Sequence, residues 1–172
     1  MEIYLIAATT ADGHIGRHST DKSTNWTSKE DKAFYISKIK EADVIVMGAT
    51  SFDTFNRYPK DSNWVIYDYH PENRVNPAPE RIQFKATKAD PHDLIEEFKD
   101  AGYKKAAICG GKSIYSMFMA AGLVDRLYLT VEPVIFGAGV PLFDKEAETK
   151  LNLEQVHHLS EQTVVMEYTV IK

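Results

Sequence analysis

The sequence predicts an α/β domain built on a mixed sheet, and three observations carry the prediction. Short apolar runs alternate with helical patterns through most of the chain. The tail closes on two segments of alternating hydrophobicity. Two of the apolar runs end in glycine just ahead of a helix-like segment. The 172 residues are 44% hydrophobic and 26% charged, which suits one domain over residues 1–172. A chain of this length can bury roughly 70% of its unfolded surface.

Residues 3–8 are rich in apolar side chains and read as a strand. Residues 28–41 are expected to be helical, with Ala33, Phe34, Ile36 and Ile39 at mixed three- and four-residue spacings. Residues 44–47 form a continuous apolar run, as in a strand covered on both faces. A short helix is expected over 50–55 and strands over 64–67 and 82–84. Pro91 opens and Gly102 follows a helix over 91–100. Residues 105–109 read as a strand. Ile114, Met117, Phe118 and Ala121 then share one helix face. A strand over 126–134 and two antiparallel strands over 153–159 and 164–171 complete the set. In such sheets ligands bind beyond the carboxyl ends of the strands. The loops that matter are those after Ala8, Met47, Cys109 and Val134.

Composition narrows the function. Net charge is −5 and no Lys/Arg stripe is present, which argues against nucleic acid. The lone Cys109 can form neither an internal disulfide nor a multi-cysteine metal site. None of the six histidines forms an HExxH or similar ligand pair, so no metal is expected. The first apolar run is too short to cross a bilayer and has no basic stretch before it. A cytoplasmic protein without a membrane partner is expected.

The sharpest local signal is Cys109-Gly110-Gly111-Lys112-Ser113-Ile114-Tyr115. A buried strand enters two glycines and then a helix. Glycine allows close backbone approach, and a helix start offers unpaired N–H groups to a phosphate. A second turn, Gly48-Ala49-Thr50-Ser51, follows the run at 44–47 with the same logic. Two such turns suit a ligand with two separated phosphates, such as a dinucleotide. Each turn could instead be a strand-to-helix connection whose hydroxyls only cap.

Asp31 stands in a third candidate region, after Trp26 and ahead of Phe34 and Tyr35. Thr27 with Glu30, and Ser28 with Asp31, both fit a capping box. On the residues alone the cap is the favoured role for Asp31. If Thr27 caps, Asp31 is free to hold the amide-like edge of a heterocycle by paired hydrogen bonds.

These segments together resemble the dihydrofolate reductase-like superfamily, and most closely the reductase (C-terminal) domain of the bifunctional riboflavin-biosynthesis protein RibD. The resemblance rests on Ile6-Ala7-Ala8 with Asp12-Gly13-His14-Ile15-Gly16, on Trp26 to Asp31, and on Ala42 to Gly48. It rests further on Ile108 to Gly111, and most specifically on Ala121 to Leu129 running to Pro133-Val134-Ile135-Phe136-Gly137, Gly139 and Leu142-Phe143.

The resemblance implies a three-layer domain with a central mixed sheet of about eight strands flanked by helices. It implies an NADPH-dependent reductase of a pyrimidine- or pterin-type heterocycle, most like 5-amino-6-(5-phosphoribosylamino)uracil. Dihydrofolate reduction is the alternative, and a non-catalytic NADP(H)-binding protein is a rival of another class. In this reading Gly110, Gly111, Lys112, Ser113, Ile114 and Tyr115 would bind the cofactor pyrophosphate region. Gly48, Ala49, Thr50 and Ser51 would meet its adenine-side phosphates, and Ala8, Ile15 and Gly16 would border the nicotinamide. Asp31 would anchor the heterocycle and assist proton delivery near Trp26, supported by Thr130. Ala8, Phe34, Tyr35 and Phe52 would line the substrate slot. Ala49 stands where folate enzymes usually carry a basic residue, which leaves the 2′-phosphate to Thr50, Ser51, His70 or Arg74. Arg57 and Lys60 are out of register with the arginine that holds a folate tail. A homodimer joined through residues 127–135 and the C-terminal strands is a further expectation.

Overall fold

The apolar N-terminal run forms β1 (Glu2–Thr10), which lies inside the sheet with parallel neighbours on both sides. The computed structural model describes residues 1–55, 58–145 and 148–172. β1 runs two residues beyond the expected strand because Thr9 and Thr10 pair with Val131 and Glu132. Next come β2 (His14–Gly16), α1 (Lys29–Glu41), β3 (Val44–Gly48), α2 (Ala49–Phe52), β4 (Ser62–Tyr67) and β5 (Ile82–Thr87). The chain continues through α3 (Pro91–Asp100), β6 (Lys105–Ile108), α4 (Lys112–Ala120) and β7 (Arg126–Glu132). It ends with β8 (Val140–Pro141), β9 (Leu151–His158) and β10 (Val164–Val170).

Eight strands form one mixed sheet in the order β5-β4-β3-β6-β1-β7-β10-β9. The first six run parallel, and β10 and β9 close the sheet antiparallel. This is the dihydrofolate reductase-like arrangement that the resemblance implied. β2 and β8 form a separate small ribbon that the sequence did not announce.

Alternation along the strands divides the core into two layers. Ile3, Leu5, Val44, Val46 and Ile108 face Leu94 and Phe98 of α3 and Ile114 and Phe118 of α4. Tyr4, Ile6, Ile45, Met47, Trp64 and Ile66 face Ile39 of α1 and Phe52 of α2. Each large side chain fully buried this way contributes about 1.5–3 kcal/mol. Local signals set the helix ends. Asp90 accepts the His92 N–H at the start of α3, with Pro91 in the first turn, and Gly102 follows at φ +80°. The carboxyl ends of β1, β3 and β6 therefore open on one rim, with α1 on one side and α4 on the other.

Candidate active site

The two glycine turns are in contact with each other. The Gly48 N–H donates to the Gly110 carbonyl at 2.7 Å, which ties the end of β3 to the end of β6. Gly110 has φ +105°, and a Cβ there would meet the Tyr115 hydroxyl at 2.9 Å. That hydroxyl is fixed, donating to the Ile6 carbonyl at 2.7 Å. A Cβ on Gly111 would meet Ser51 Oγ at 2.9 Å. The peptide joining the two glycines is cis. No side chain caps α4, and among the described residues the N–H groups of Gly111, Lys112 and Ser113 make no backbone hydrogen bond. The cradle therefore has the two attributes a pyrophosphate needs: backbone that only glycine allows to approach closely, and free N–H donors at a helix start.

A cavity of about 640 Å³ opens between this cradle and α1. Asp31 and Tyr35 line it from the helix, Ala8 and Ile15 from the end of β1 and the ribbon, and Ser51, Gly110, Gly111 and Tyr115 from the turns. Thr27, Asp31 and Tyr35 form a stripe at four-residue spacing along α1 and its entry, with Lys32 and Ile36 beside it.

Asp31 is 7% exposed. The Thr130 hydroxyl from β7 and that of Thr27 stand beside its carboxyl, and each lowers its proton affinity. Burial raises its affinity for a proton above the usual carboxylate range. The Thr130 bond offsets part of that, and the charge of Glu132 adds to it. Ser28, not Thr27, is the cap: its hydroxyl accepts the Asp31 N–H at 3.1 Å. The reciprocal carboxylate of the box is neither Glu30 nor Asp31. It is Glu132 of β7, which accepts both the Ser28 N–H and the Ser28 hydroxyl at 2.8 Å. The Asp31 main chain thus donates to the cap, and its side chain is left for the cavity. The Tyr35 hydroxyl lies beside the Cys109 thiol, buried and without a hydrogen-bond partner of ordinary geometry among the described residues. Burial lifts the Cys109 thiol to about 12, which suits a packed, inert side chain.

Several expected residues sit elsewhere. Phe52 is 3% exposed and belongs to an aromatic cluster with Tyr58, Trp64 and Phe84, so it is core and not slot. Phe55 lines the cavity instead. Phe34 turns toward Tyr128 and His157, off the cavity wall. Trp26 also lies off the wall. It packs edge-on against Phe136 at 5.3 Å, and its buried Nε1 has no partner among the described residues. Gly16, Gly48, Ala49, Thr50, Lys112 and Ser113 flank the wall without lining it, and the Ile114 side chain points into the core. Arg74 is engaged by Asp53 at 2.6 and 3.1 Å and by Asp68 at 2.5 Å, which leaves its guanidinium no open edge for a 2′-phosphate. His70 is exposed beside Glu72, Lys60 is a surface cation near Asp61, and Arg57 falls outside the described residues. Sequence reasoning missed Lys32, Thr54 and Phe55 on the wall, and Glu132 behind it.

Among the described residues no helix is long and apolar enough to cross a membrane. The chain is similar to the uncharacterized protein YyaP of Bacillus subtilis, 26% identical over 165 residues that cover 90% of this chain and 86% of YyaP. In structure it is similar to a Shewanella sp. PV-4 protein named for riboflavin biosynthesis, at TM-score 0.82 and 18% identity with both chains fully covered. It also resembles dihydrofolate reductase from Enterococcus faecalis complexed with NADP(H), at TM-score 0.69 and 16% identity, covering 99% of this chain and 97% of that one. Residues 2–165 match the RibD C-terminal domain, and the chain belongs to that family.

Proposed function

We propose that the protein is an NADPH-dependent reductase of a pyrimidine- or pterin-type heterocycle, most like 5-amino-6-(5-phosphoribosylamino)uracil. One observation carries the reading: the buried Asp31 carboxyl and the paired-glycine cradle face each other across a single cavity. A reduced nicotinamide dinucleotide held there would supply the hydride. Membership of the RibD C-terminal domain family supports the same chemistry.

The chain's own residues do the rest. The N–H groups of Gly111 in the wall and of Lys112 and Ser113 at its edge would hold a diphosphate, which Gly110 would let the backbone approach. Ala8 and Ile15 give the ring an apolar border. Asp31 accepts hydrogen bonds from a heterocycle edge when ionised and holds a proton for delivery when neutral. Its raised proton affinity favours the second state more than in an ordinary carboxylate. Thr130 stands beside the carboxyl and lowers its proton affinity, and Tyr35 gives the slot the flank of its ring, its hydroxyl lying buried beside the Cys109 thiol.

Titration with NADPH tests the cofactor half. Saturation should quench tryptophan fluorescence and raise Tm by about 5–10 °C at a hundredfold excess over Kd. No response at millimolar NADPH would remove the reading. Cofactor oxidation with the pyrimidine nucleotide and none with dihydrofolate would set the substrate. Asp31→Asn should retain NADPH affinity and lose about 10²–10⁴-fold in kcat/KM.

A further inference from the structure

Glu132 is a buried carboxylate that the proposed chemistry leaves unused. It ends β7 on the same face as Thr130, two positions on, and is 3% exposed. One of its oxygens accepts the Ser28 N–H and hydroxyl at 2.8 Å, and the other accepts the Thr163 hydroxyl at 3.1 Å. Ser28 Oγ in turn accepts the Asp31 N–H at 3.1 Å. An unbroken chain of bonds therefore runs from the β9–β10 turn, through Glu132 and Ser28, to the main chain of Asp31.

A capping box ordinarily draws its carboxylate from three residues beyond the cap, which here is Asp31. In this fold the carboxylate comes from 104 residues away. Helix formation alone does not require that arrangement. Burying a second carboxylate near the first carries a desolvation cost that a local box avoids. What the arrangement achieves is a fixed first turn of α1 with the Asp31 side chain left over.

We propose that Glu132 is a positioning residue for the proton-bearing step: it takes the cap so that the Asp31 carboxyl faces the substrate, and its charge stands behind that carboxyl. The proposal rests on the reading of Asp31 given above. The other groups that face Asp31 are Lys32 on its own helix, Tyr35 one turn along it and Tyr115 from α4. Burial is the first cause of the raised proton affinity of Asp31, and Glu132 is the one carboxylate among these neighbours that adds to it.

Glu132→Gln separates charge from shape, because the amide oxygen still meets Ser28. Carbon NMR of the Asp31 carboxyl follows its titration in the free protein without any substrate. The carboxyl should titrate at lower pH in Glu132→Gln than in the wild type. The upper pH limit of kcat/KM should move down with it, while KM for NADPH stays within about twofold. An unmoved titration and pH profile would overturn the proposal and leave Glu132 a cap. Ser28→Ala is the second variant. It breaks the chain of bonds but keeps the charge, so kcat/KM should fall about tenfold while Asp31 still titrates near its wild-type pH. An equal titration shift in Ser28→Ala would also overturn the role of the charge. Full turnover in Asp31→Asn would instead sink the reading of Asp31, and the carbon titration would still report on Glu132.

Discussion

Asp31 and Gly110 show at single positions how function and stability pull apart. Burial, partly offset by the Thr130 bond, holds the Asp31 carboxyl above its ordinary range. A group that binds its proton more tightly folded than unfolded gives stability that is complete below the unfolded value, near pH 4. That stability is lost as pH rises through the folded value. At mildly alkaline pH the ionised Asp31 therefore weighs against the fold, and Asp31→Asn should be more stable than wild type by about 1 kcal/mol, or about 2–4 °C in Tm. The gap should close toward pH of about 4, which paired thermal melts across the pH range would read. Gly110 behaves in the opposite way. Alanine there combines φ +105° with a Cβ 2.9 Å from the anchored Tyr115 hydroxyl, and should cost about 2–4 kcal/mol in denaturant melts. Adding Tyr115→Phe removes the nearest clashing atom, so the double variant should lose less than the sum of the two singles.

At the scale of elements, legibility followed local periodicity and failed where distant parts decide. The strand ending in two glycines and the helix after it were readable because glycine at that junction has a stereochemical reason. The cavity stripe of Thr27, Asp31 and Tyr35 was readable in principle from its four-residue spacing. Phe34, next to Tyr35, was assigned to the same slot although neighbours on a helix point about 100° apart. Phe52 was misplaced because nothing local distinguishes an aromatic that meets Trp64 from one that meets a ligand. The ribbon of β2 and β8 has no periodicity to read. It exists because Gly139 packs where a Cβ would lie 2.5 Å from the Gly16 carbonyl. Asp12 holds the two loops of that ribbon together, accepting from Thr10 Oγ at 2.5 Å, the Gly137 N–H at 2.7 Å and the Phe136 N–H at 3.3 Å. The Thr10 bond holds its carboxyl below the ordinary range, burial opposes it as the second-largest influence, and the two N–H groups add to the Thr10 effect. The latch is thus complete at neutral pH and fails as pH falls through that lowered value. Asp12→Ala should speed amide exchange at Ile15, Gly16 and Gly137 by about tenfold or more at neutral pH and leave the α3 amides unchanged. Equal exchange at both places would show that Asp12 is not what closes the ribbon.

For the whole molecule, the two sheet edges are unlike. β5 presents Gln83 and Lys85, with Lys85 paired to Glu97 at 2.5 Å, a charged edge of the kind that deters further strands. β9 pairs only with β10 among the described residues, and exposes Leu151, Leu153 and Val156 at 38, 51 and 40%. The sequence suggested that residues 127–135 and the C-terminal strands would join two copies; β7 is flanked by β1 and β10 and has no free edge, whereas β9 of the C-terminal pair has one. Of the two edges, β9 and the apolar face beside it, where Ile171 and Val156 lie open, suit a contact between copies better than the charged β5. The expected outcome is a concentration-dependent dimer in analytical ultracentrifugation. Leu153→Lys with Val156→Glu should shift it to monomer while Tm changes by no more than about 2 °C, since both side chains are already half in water. A wild-type chain that sediments as monomer even at high concentration would show that this face meets only solvent. Loss of NADPH turnover in the monomeric variant would show instead that the cavity depends on the second copy, although every wall residue described comes from one chain.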